Sequence, residues 1–186
     1  MNFEFATATR IIFGTGSASR LPELAAPFGR RILLVTGSSG ARQTRVTDAL
    51  NEAGFELIPC PIHGEPTTHE AEAGARLARQ SGAQLVISLG GGSVVDAGKA
   101  IAALASQPGS LLDYLEVIGQ GRPLEAKPLP FFALPTTAGT GAEVTRNAVL
   151  TSPEHRVKAS LRHADMLPTL ALIDPSLTLQ CPPAIT

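Results

Sequence analysis

The residues of this 186-residue chain that could do chemistry gather in two stretches. In the first, Leu85 to Ala105 (LVISLGGGSVVDAGKAIAALA), an apolar run halts at Gly90, Gly91 and Gly92, and Ser93, Asp96 and Lys99 follow on a helical pattern. A helix that starts at the end of a parallel strand offers unpaired N–H groups and the positive end of its dipole. An anion, above all a phosphate, is stabilised there. Three glycines let the backbone approach that anion closely and admit φ > 0 without a steric penalty. Ser93 can cap the helix or donate its hydroxyl. The second stretch, Phe131 to Thr145 (FFALPTTAGTGAEVT), repeats the chemistry: Thr136, Thr137 and Thr140 supply hydroxyls, and Gly139 and Gly141 supply backbone access after a buried strand. Two such loops on neighbouring strand ends would bracket one nucleotide, because ligands of open α/β sheets collect at the carboxyl ends of strands.

The elements that must position these loops can be read from hydropathy periodicity. Arg30 to Gly37 has the profile of a strand buried on both faces, and a helix follows with Val46, Ala49, Leu50 and Ala53 at helical spacing and Gly54 as its stop. Phe55 to Cys60 reads as a second strand. The next segment (THEAEAGARLARQSG) reads as a helix capped by Thr68, supported by Glu72 and Arg76 at i,i+4, and closed by Gly82. The two loop-bearing stretches add a third strand, a third helix and a fourth strand, and Leu170 to Ile173 a fifth. Such alternation implies an α/β fold, a Rossmann-like parallel sheet flanked by helices. Two hairpins are expected as additions, one in residues 3–16 around Thr7 to Thr9 and one in residues 146–161 with Ser152 to His155 in its turn. Pro182-Pro183 has the look of a helix start, three residues before the chain ends. The expectation is therefore a piece of a longer protein.

Composition narrows the function. Hydrophobic residues make up 44% and charged residues 17%, with a net charge of −1, so nothing marks a nucleic-acid or anionic-membrane surface. The apolar runs fall short of the roughly 20 residues that a membrane span needs. Cys60 and Cys181 form no C-x-x-C pair, and Phe3, Glu4 and Phe5 break any signal-peptide order, which reads as a cytoplasmic protein. Other phosphate motifs fail on spacing. A P-loop would need a glycine where Ser93 stands and Ser or Thr where Ala100 stands, and no G-x-G-x-x-G follows the first strand. The turn Val35 to Arg42 (VTGSSGAR) is faintly similar to that of short-chain dehydrogenases, but the only tyrosine, Tyr114, has Ile118 rather than lysine four residues on.

Taken in order, GGGSVVDAGKAIA, LPTTAGTGAEVT, KASL and LALIDPSLTLQCPP resemble the iron-containing alcohol dehydrogenase family, whose wider fold includes glycerol dehydrogenase and dehydroquinate synthase. Dehydroquinate synthases carry a different motif after their PTT, which disfavours that lyase. The resemblance implies that residues 1–186 are an N-terminal dinucleotide-binding domain, with a helical metal- and substrate-binding domain C-terminal to it. It implies that Gly91, Gly92 and Ser93 hold the pyrophosphate and that Asp96 lies near the phosphate–nicotinamide side. Thr136, Thr137 and Thr140 would contact the cofactor, and Lys158 would reach its ribose. For Asp96 and Lys99 the alternative is an exposed helix pair, with Lys99 only surface.

Members that use NAD tend to carry an acidic residue after the first strand for the ribose 2′-hydroxyl. Here Gly37, Ser38, Ser39 and Gly40 stand in that place with Arg42 nearby, which leans towards NADP beside NAD. The resemblance places the family's ligands for a divalent metal, iron or zinc, just beyond Thr186. His63, His69, His155 and His163, with Glu70 beside His69, have no H-E-x-x-H or Cys/His ligand spacing and read as surface or loop residues. The function implied is reversible hydride transfer between a nicotinamide cofactor and an alcohol or aldehyde. Maleylacetate reductase is the alternative within the fold, and a nucleotide-binding module without turnover is the alternative for these residues alone. An exposed edge of the N-terminal hairpin would allow a homodimer.

Overall fold

A computed structural model of the chain describes residues 1–37, 40–179 and 181–182, with the side chains of all but residues 40–42. Ser38, Ser39 and the expected helix after Pro182-Pro183 lie outside the described residues. The strands are β1 (Ile11–Phe13), β2 (Arg31–Thr36), β3 (Glu56–Pro61), β4 (Leu85–Gly90), β5 (Phe131–Pro135), β6 (Asn147–Ser152), β7 (Val157–Arg162) and β8 (Leu170–Ile173). The α-helices are α1 (Leu21–Ala25), α2 (Gly40–Glu52), α3 (Thr68–Ser81), α4 (Gly92–Ala105) and α5 (Leu111–Tyr114).

Six strands form one parallel sheet in the order β1-β8-β5-β4-β2-β3. β4 and β5 are buried along their whole length, as near-continuous apolar runs require when helices cover both faces, and the one polar residue within them, Ser88, donates to Val94 O. Side chains alternate between the faces. Leu33, Val35, Val86, Phe131 and Ala133 pack towards α3 and α4, whereas Ile32, Leu34, Leu85, Ile87, Leu89 and Phe132 pack towards α1 and α2. The chain adds β3 on one side of β2 and then crosses back to place β4 on the other. The carboxyl ends of β2 and β4 thus border the crevice where strand order reverses, the place where open α/β sheets bind ligands. In register, Thr36 lies opposite Leu89 and Gly90 opposite Pro135, so the three strand ends are level.

α4 is buried nearly all round because it is sandwiched. One side meets the sheet; the other meets Ala148, Leu150, Ala159 and Leu161 of the antiparallel β6–β7 hairpin. A Cβ at Gly98 would stand 1.9 Å from Ser88 Oγ and 2.7 Å from the Phe131 ring, so this glycine sets how closely α4 approaches the sheet.

Four local expectations are corrected. The N-terminal stretch forms no hairpin among the described residues: β1 joins the sheet edge in parallel with β8, and Phe3 and Phe5 stay exposed because no second strand covers them. The cap of α3 is Thr67, whose hydroxyl accepts from Glu70 N while Glu70 reaches back to Thr67 N. This capping box needs a Glu or Gln three residues after the cap, and Thr68 has Ala71 there. Glu72 forms no ion pair with Arg76 but accepts from Leu111 N at 3.1 Å. Ala53 falls outside α2 and is exposed. The β6–β7 hairpin, Gly54 after α2 and Gly82 at the end of α3 agree with the sequence reading; both glycines are left-handed.

Candidate functional site

Both glycine loops meet at the level strand ends. Thr136 N donates to Gly90 O at 2.9 Å, which ties the start of the second loop to the end of β4. α4 begins immediately after Gly91, so the N–H groups of Gly92, Ser93 and Val94 have no carbonyl four residues back and point out of the helix end. Gly91, not Ser93, occupies the cap position, and no side chain caps the helix. That leaves the end of α4 open to an external acceptor.

The reason for the three glycines differs from the one expected. None of Gly90, Gly91 and Gly92 is left-handed, and Gly91 has φ −73°. Space decides instead. A Cβ at Gly90 would stand 2.6 Å from Val94, and one at Gly92 3.1 Å from Thr140. At Gly91 the nearest atoms are those of Thr137 at 3.5 Å, an ordinary contact. The left-handed residues are in the other loop, where Gly139 and Gly141 have φ of 96° and 65° and turn the chain back over α4.

Thr137 carries the clearest chemical signal. Its Oγ1 is buried, has no hydrogen-bond partner, and stands 3.5 Å from the position a Cβ of Gly91 would take. Buried hydroxyls are normally satisfied, so this one faces a place where an external polar atom fits. Thr136 is buried beside it, and Thr140 is exposed at the rim. Gly37, at the end of β2, comes within 3.4 Å of Val94 when a Cβ is placed on it, which brings the β2 end to the first turn of α4.

Asp96 and Lys99 are not an exposed pair. Lys99 is 1% exposed, and its Nζ donates to Ala142 O at 2.8 Å, to Thr145 Oγ1 at 3.0 Å and to Asn147 O, with Asp96 Oδ1 at 3.1 Å. Burial lowers its pKa, and the neighbouring Asp96 offsets part of that drop. Asp96 Oδ2 also accepts from Val149 N at 3.1 Å. Together these two residues bolt the second loop and β6 onto α4.

Asp96 has a second face. With Ser93 it forms one wall of a pocket of about 130 Å³, and the other walls are Glu65, Pro66, Val149, Thr151 and Lys158. Thr151 and Lys158 are directly opposed on the β6–β7 ladder, so both side chains leave the same face of the hairpin. Thr151 N donates to Pro66 O at 2.8 Å, which fastens the hairpin to the loop after β3. Lys158 Nζ donates to Glu65 Oε1 at 2.7 Å. The sequence reading singled out neither Glu65 nor Thr151; the signal for Glu65 was only its place in the GEPTT loop after β3.

Thus Gly91 lies against Thr137, Gly92 against Thr140, Gly37 near Val94 and Thr136 against Gly90, while Ser93, Asp96 and Lys158 line one pocket. Ser38 and the Arg42 side chain fall outside what is described. His63, His69 and His155 are exposed; His69 pairs with Glu154, and His155 Nδ1 is 2.9 Å from Ser152 Oγ. No three His, Cys, Asp or Glu side chains converge to hold a metal among the described residues. Cys60 is buried with its thiol pushed up to about 11 by burial and by Glu70, so it is no thiolate nucleophile.

The sheet order and the paired loops define a Rossmann-like nucleotide-binding fold. The sequence model of the iron-containing alcohol dehydrogenases matches residues 8–175, and the chain belongs to that family. Long-chain-alcohol dehydrogenase 1 of Geobacillus thermodenitrificans is 35% identical, over 97% of this chain and 48% of its own length. The crystal structure of sulfoacetaldehyde reductase from Bifidobacterium kashiwanohense in complex with NAD+ superposes on 100% of this chain and 49% of its own, with a TM-score of 0.89 and 30% identity. NADH-dependent butanol dehydrogenase A from Thermotoga maritima matches with a TM-score of 0.86 and 30% identity, over 100% of this chain and 47% of its own. The chain spans about half the length of these relatives.

Proposed function

We propose that this chain is the cofactor-binding part of an NAD(P)-dependent alcohol dehydrogenase or aldehyde reductase. The observation that carries the reading is the open end of α4 set against the partnerless Thr137 hydroxyl at the strand-order switch. A pyrophosphate fits that arrangement: helix N–H groups and the Thr137 hydroxyl donate, and the missing side chain at Gly91 leaves room for it. The nicotinamide, when bound, supplies the hydride acceptor and donor; the chain's own residues bind and orient it. The relatives include a long-chain-alcohol dehydrogenase and a butanol dehydrogenase, which supports an alcohol or aldehyde as substrate.

The end of β2 carries no carboxylate at Gly37, Ser38, Ser39 or Gly40 that would repel a 2′-phosphate, so NADP is accepted beside NAD. The described residues form no cluster that fits the metal that the family name implies. Because the chain spans half of its relatives, turnover belongs to the whole protein and affinity to these residues. The exposed edge of β1, with Phe13 72% exposed, is where two copies would pair as a homodimer.

Fluorescence titration with NADH and NADPH tests the reading. Saturable binding of both, abolished by Gly91→Asp, is expected. No binding of either, or NAD(H) bound much more tightly than NADP(H), would overturn the reading or its NADP part respectively.

A further inference from the structure

We propose that a cavity at the amino end of the sheet is a binding site for a free α-amino acid with an apolar side chain. It lies apart from the cofactor crevice. That crevice opens at the carboxyl ends of β4 and β5, whereas this cavity opens at the amino ends of β5 and β8, with the length of β5 between the two.

The cavity holds about 400 Å³, within the roughly 300–1,000 Å³ of small-molecule sites. Its apolar lining arrives from separate elements: Phe28 from the segment before β2, Ala102 from α4, Leu129 and Phe131 from the start of β5, and Met166 from the turn before β8. Main-chain bonds fix these walls against one another. Leu129 N donates to Ala102 O at 3.0 Å, Thr169 N to Phe131 O at 2.9 Å, and Thr9 N to Pro168 O at 2.9 Å. Pro128 and Pro130, which also line the cavity, stiffen the chain between α4 and β5. Walls held in this way are formed before a ligand arrives, so little loss of freedom opposes its binding.

Two opposite charges stand at the rim. Lys127 and Asp165 both line the cavity and are exposed. The Lys127 amine makes no hydrogen bond or ion pair among the described residues, so all three of its donors are available to a ligand. Asp165 lies 3.6 Å from His163 Nδ1, but that nitrogen accepts from Asp165 N at 3.2 Å and so has no proton to give the carboxylate. An ammonium and a carboxylate that face one apolar space without neutralising each other are complementary to a zwitterion. The α-carboxylate of an amino acid meets Lys127, its α-ammonium meets Asp165, and its side chain enters between Phe28, Phe131 and Met166. A fatty acid would bring its charge to Asp165 as well as to Lys127, and a simple amine would meet the converse repulsion. The same pair that selects the zwitterion thus selects against either half of it. Met166, unbranched and adaptable, lets the floor follow the shape of the side chain.

Isothermal titration calorimetry with L-leucine tests the site, with glycine, leucinamide and N-acetylleucine as comparison ligands. Leucine is expected to bind with one-to-one saturation. Glycine, which leaves the apolar lining uncovered, should bind about tenfold more weakly or worse. Leucinamide lacks the carboxylate and N-acetylleucine the ammonium, and each should bind about tenfold more weakly than leucine. Lys127→Met should weaken leucine about tenfold and leave leucinamide unchanged. Asp165→Asn should weaken leucine about tenfold and leave N-acetylleucine unchanged. Ala164→Trp, at an exposed lining position, fills the cavity and should abolish binding. All three positions are exposed, so unfolding midpoints should stay at the wild-type value. No saturable heat with leucine, equal affinity for leucine and its two blocked forms, or undiminished binding by Ala164→Trp would each overturn the amino-acid site. None of these readouts involves a nicotinamide cofactor, so they stand or fall separately from the cofactor reading.

Discussion

Lys99 Nζ lies 2.8 Å from the carbonyl oxygen of Ala142, a bond that spans 43 residues and joins the helix after the first glycine loop to the end of the second. The same ammonium reaches Thr145, Asn147 and Asp96, so a single buried charge organises both halves of the crevice. Lys99→Met keeps the apolar stem of the side chain and removes the ammonium group. It leaves the carbonyls of Ala142 and Asn147 and one oxygen of Asp96 without their donor. A loss of about 3 kcal/mol or more is expected, the usual consequence of removing one partner of a buried ion pair. Urea unfolding that shows a lower midpoint with an unchanged slope would support this. A variant as stable as wild type would show that the bonds contribute little.

Two glycines of α4 and its approach should respond in opposite ways to one added methyl group. Gly98→Ala drives a Cβ to 1.9 Å from Ser88 Oγ and 2.7 Å from the Phe131 ring, where α4 lies against the sheet. Overpacking of this kind destabilises by about 1–3 kcal/mol. Gly91→Ala meets only Thr137 at 3.5 Å and has an ordinary backbone at φ −73°. It should fold as well as wild type and yet lose cofactor affinity about tenfold or more, because the methyl group enters the space assigned to the pyrophosphate. Paired thermal unfolding and NADH titration check both. A Gly91→Ala variant that binds NADH normally would move the pyrophosphate elsewhere.

The contrast between these two positions shows what the sequence could and could not convey. β4 and β5 were legible because nearly continuous apolar runs ending at Gly90 and Pro135 have few alternatives to a strand buried on both faces. The glycine loop was legible as a place of close approach, but its backbone was not. Left-handed geometry resides at Gly139 and Gly141, and the need for space at Gly90 is set by Val94 and at Gly92 by Thr140. Lys99 looked like surface because its acceptors are main-chain carbonyls of a loop more than 40 residues away, which no side-chain pattern encodes. A hint was present in Ala97, Gly98 and Ala100 around it: a helix face that small is one that another element covers. The N-terminal stretch misled for the same reason. Ile11 pairs with Ala171 near the other end of the chain, and alternation alone cannot distinguish that partner from a neighbour. Glu65 had no periodic signature, because it meets Lys158 and Thr151 only through a hairpin folded against its loop.

Removing the Thr137 hydroxyl should separate the interests of the free and the bound protein. Oγ1 is buried without a partner, an arrangement that penalises the fold by about 1–3 kcal/mol. Thr137→Val preserves shape and branching and deletes only that polarity. The free variant is expected to unfold at a higher temperature than wild type, while its NADH dissociation constant rises about tenfold. Differential scanning calorimetry with and without NADH reads both effects at once, since ligand raises the midpoint in proportion to its affinity. A variant that loses stability and keeps its affinity would mean that the hydroxyl is satisfied within the protein.

Asp174 should govern the acid limit of the fold. It is 2% exposed and pins the end of β8 to the loop after β1, accepting from Gly16 N and Ala18 N at 3.0 Å, Ser176 N at 2.9 Å and Ser176 Oγ at 2.7 Å. Burial alone would raise its pKa. The bonds from Ser176, Ala18 and Gly16 outweigh burial and hold the carboxyl below its ordinary value. A carboxyl with a lower pKa in the folded chain binds fewer protons there than in the unfolded chain. It therefore stabilises the fold above the unfolded pKa of about 3.9, and that stabilisation fades as pH falls through the unfolded and then the folded value. Asp174→Asn should lose about 2 kcal/mol at neutral pH, because four donors then face a neutral amide that accepts less strongly. Its deficit should shrink steadily below about pH 4 as the wild-type carboxyl takes up its proton. Urea unfolding of both proteins from pH 7 down to pH 2.5 measures the gap. Curves that stay parallel over the whole range would mean that the charge of Asp174 does not contribute and that only its shape does.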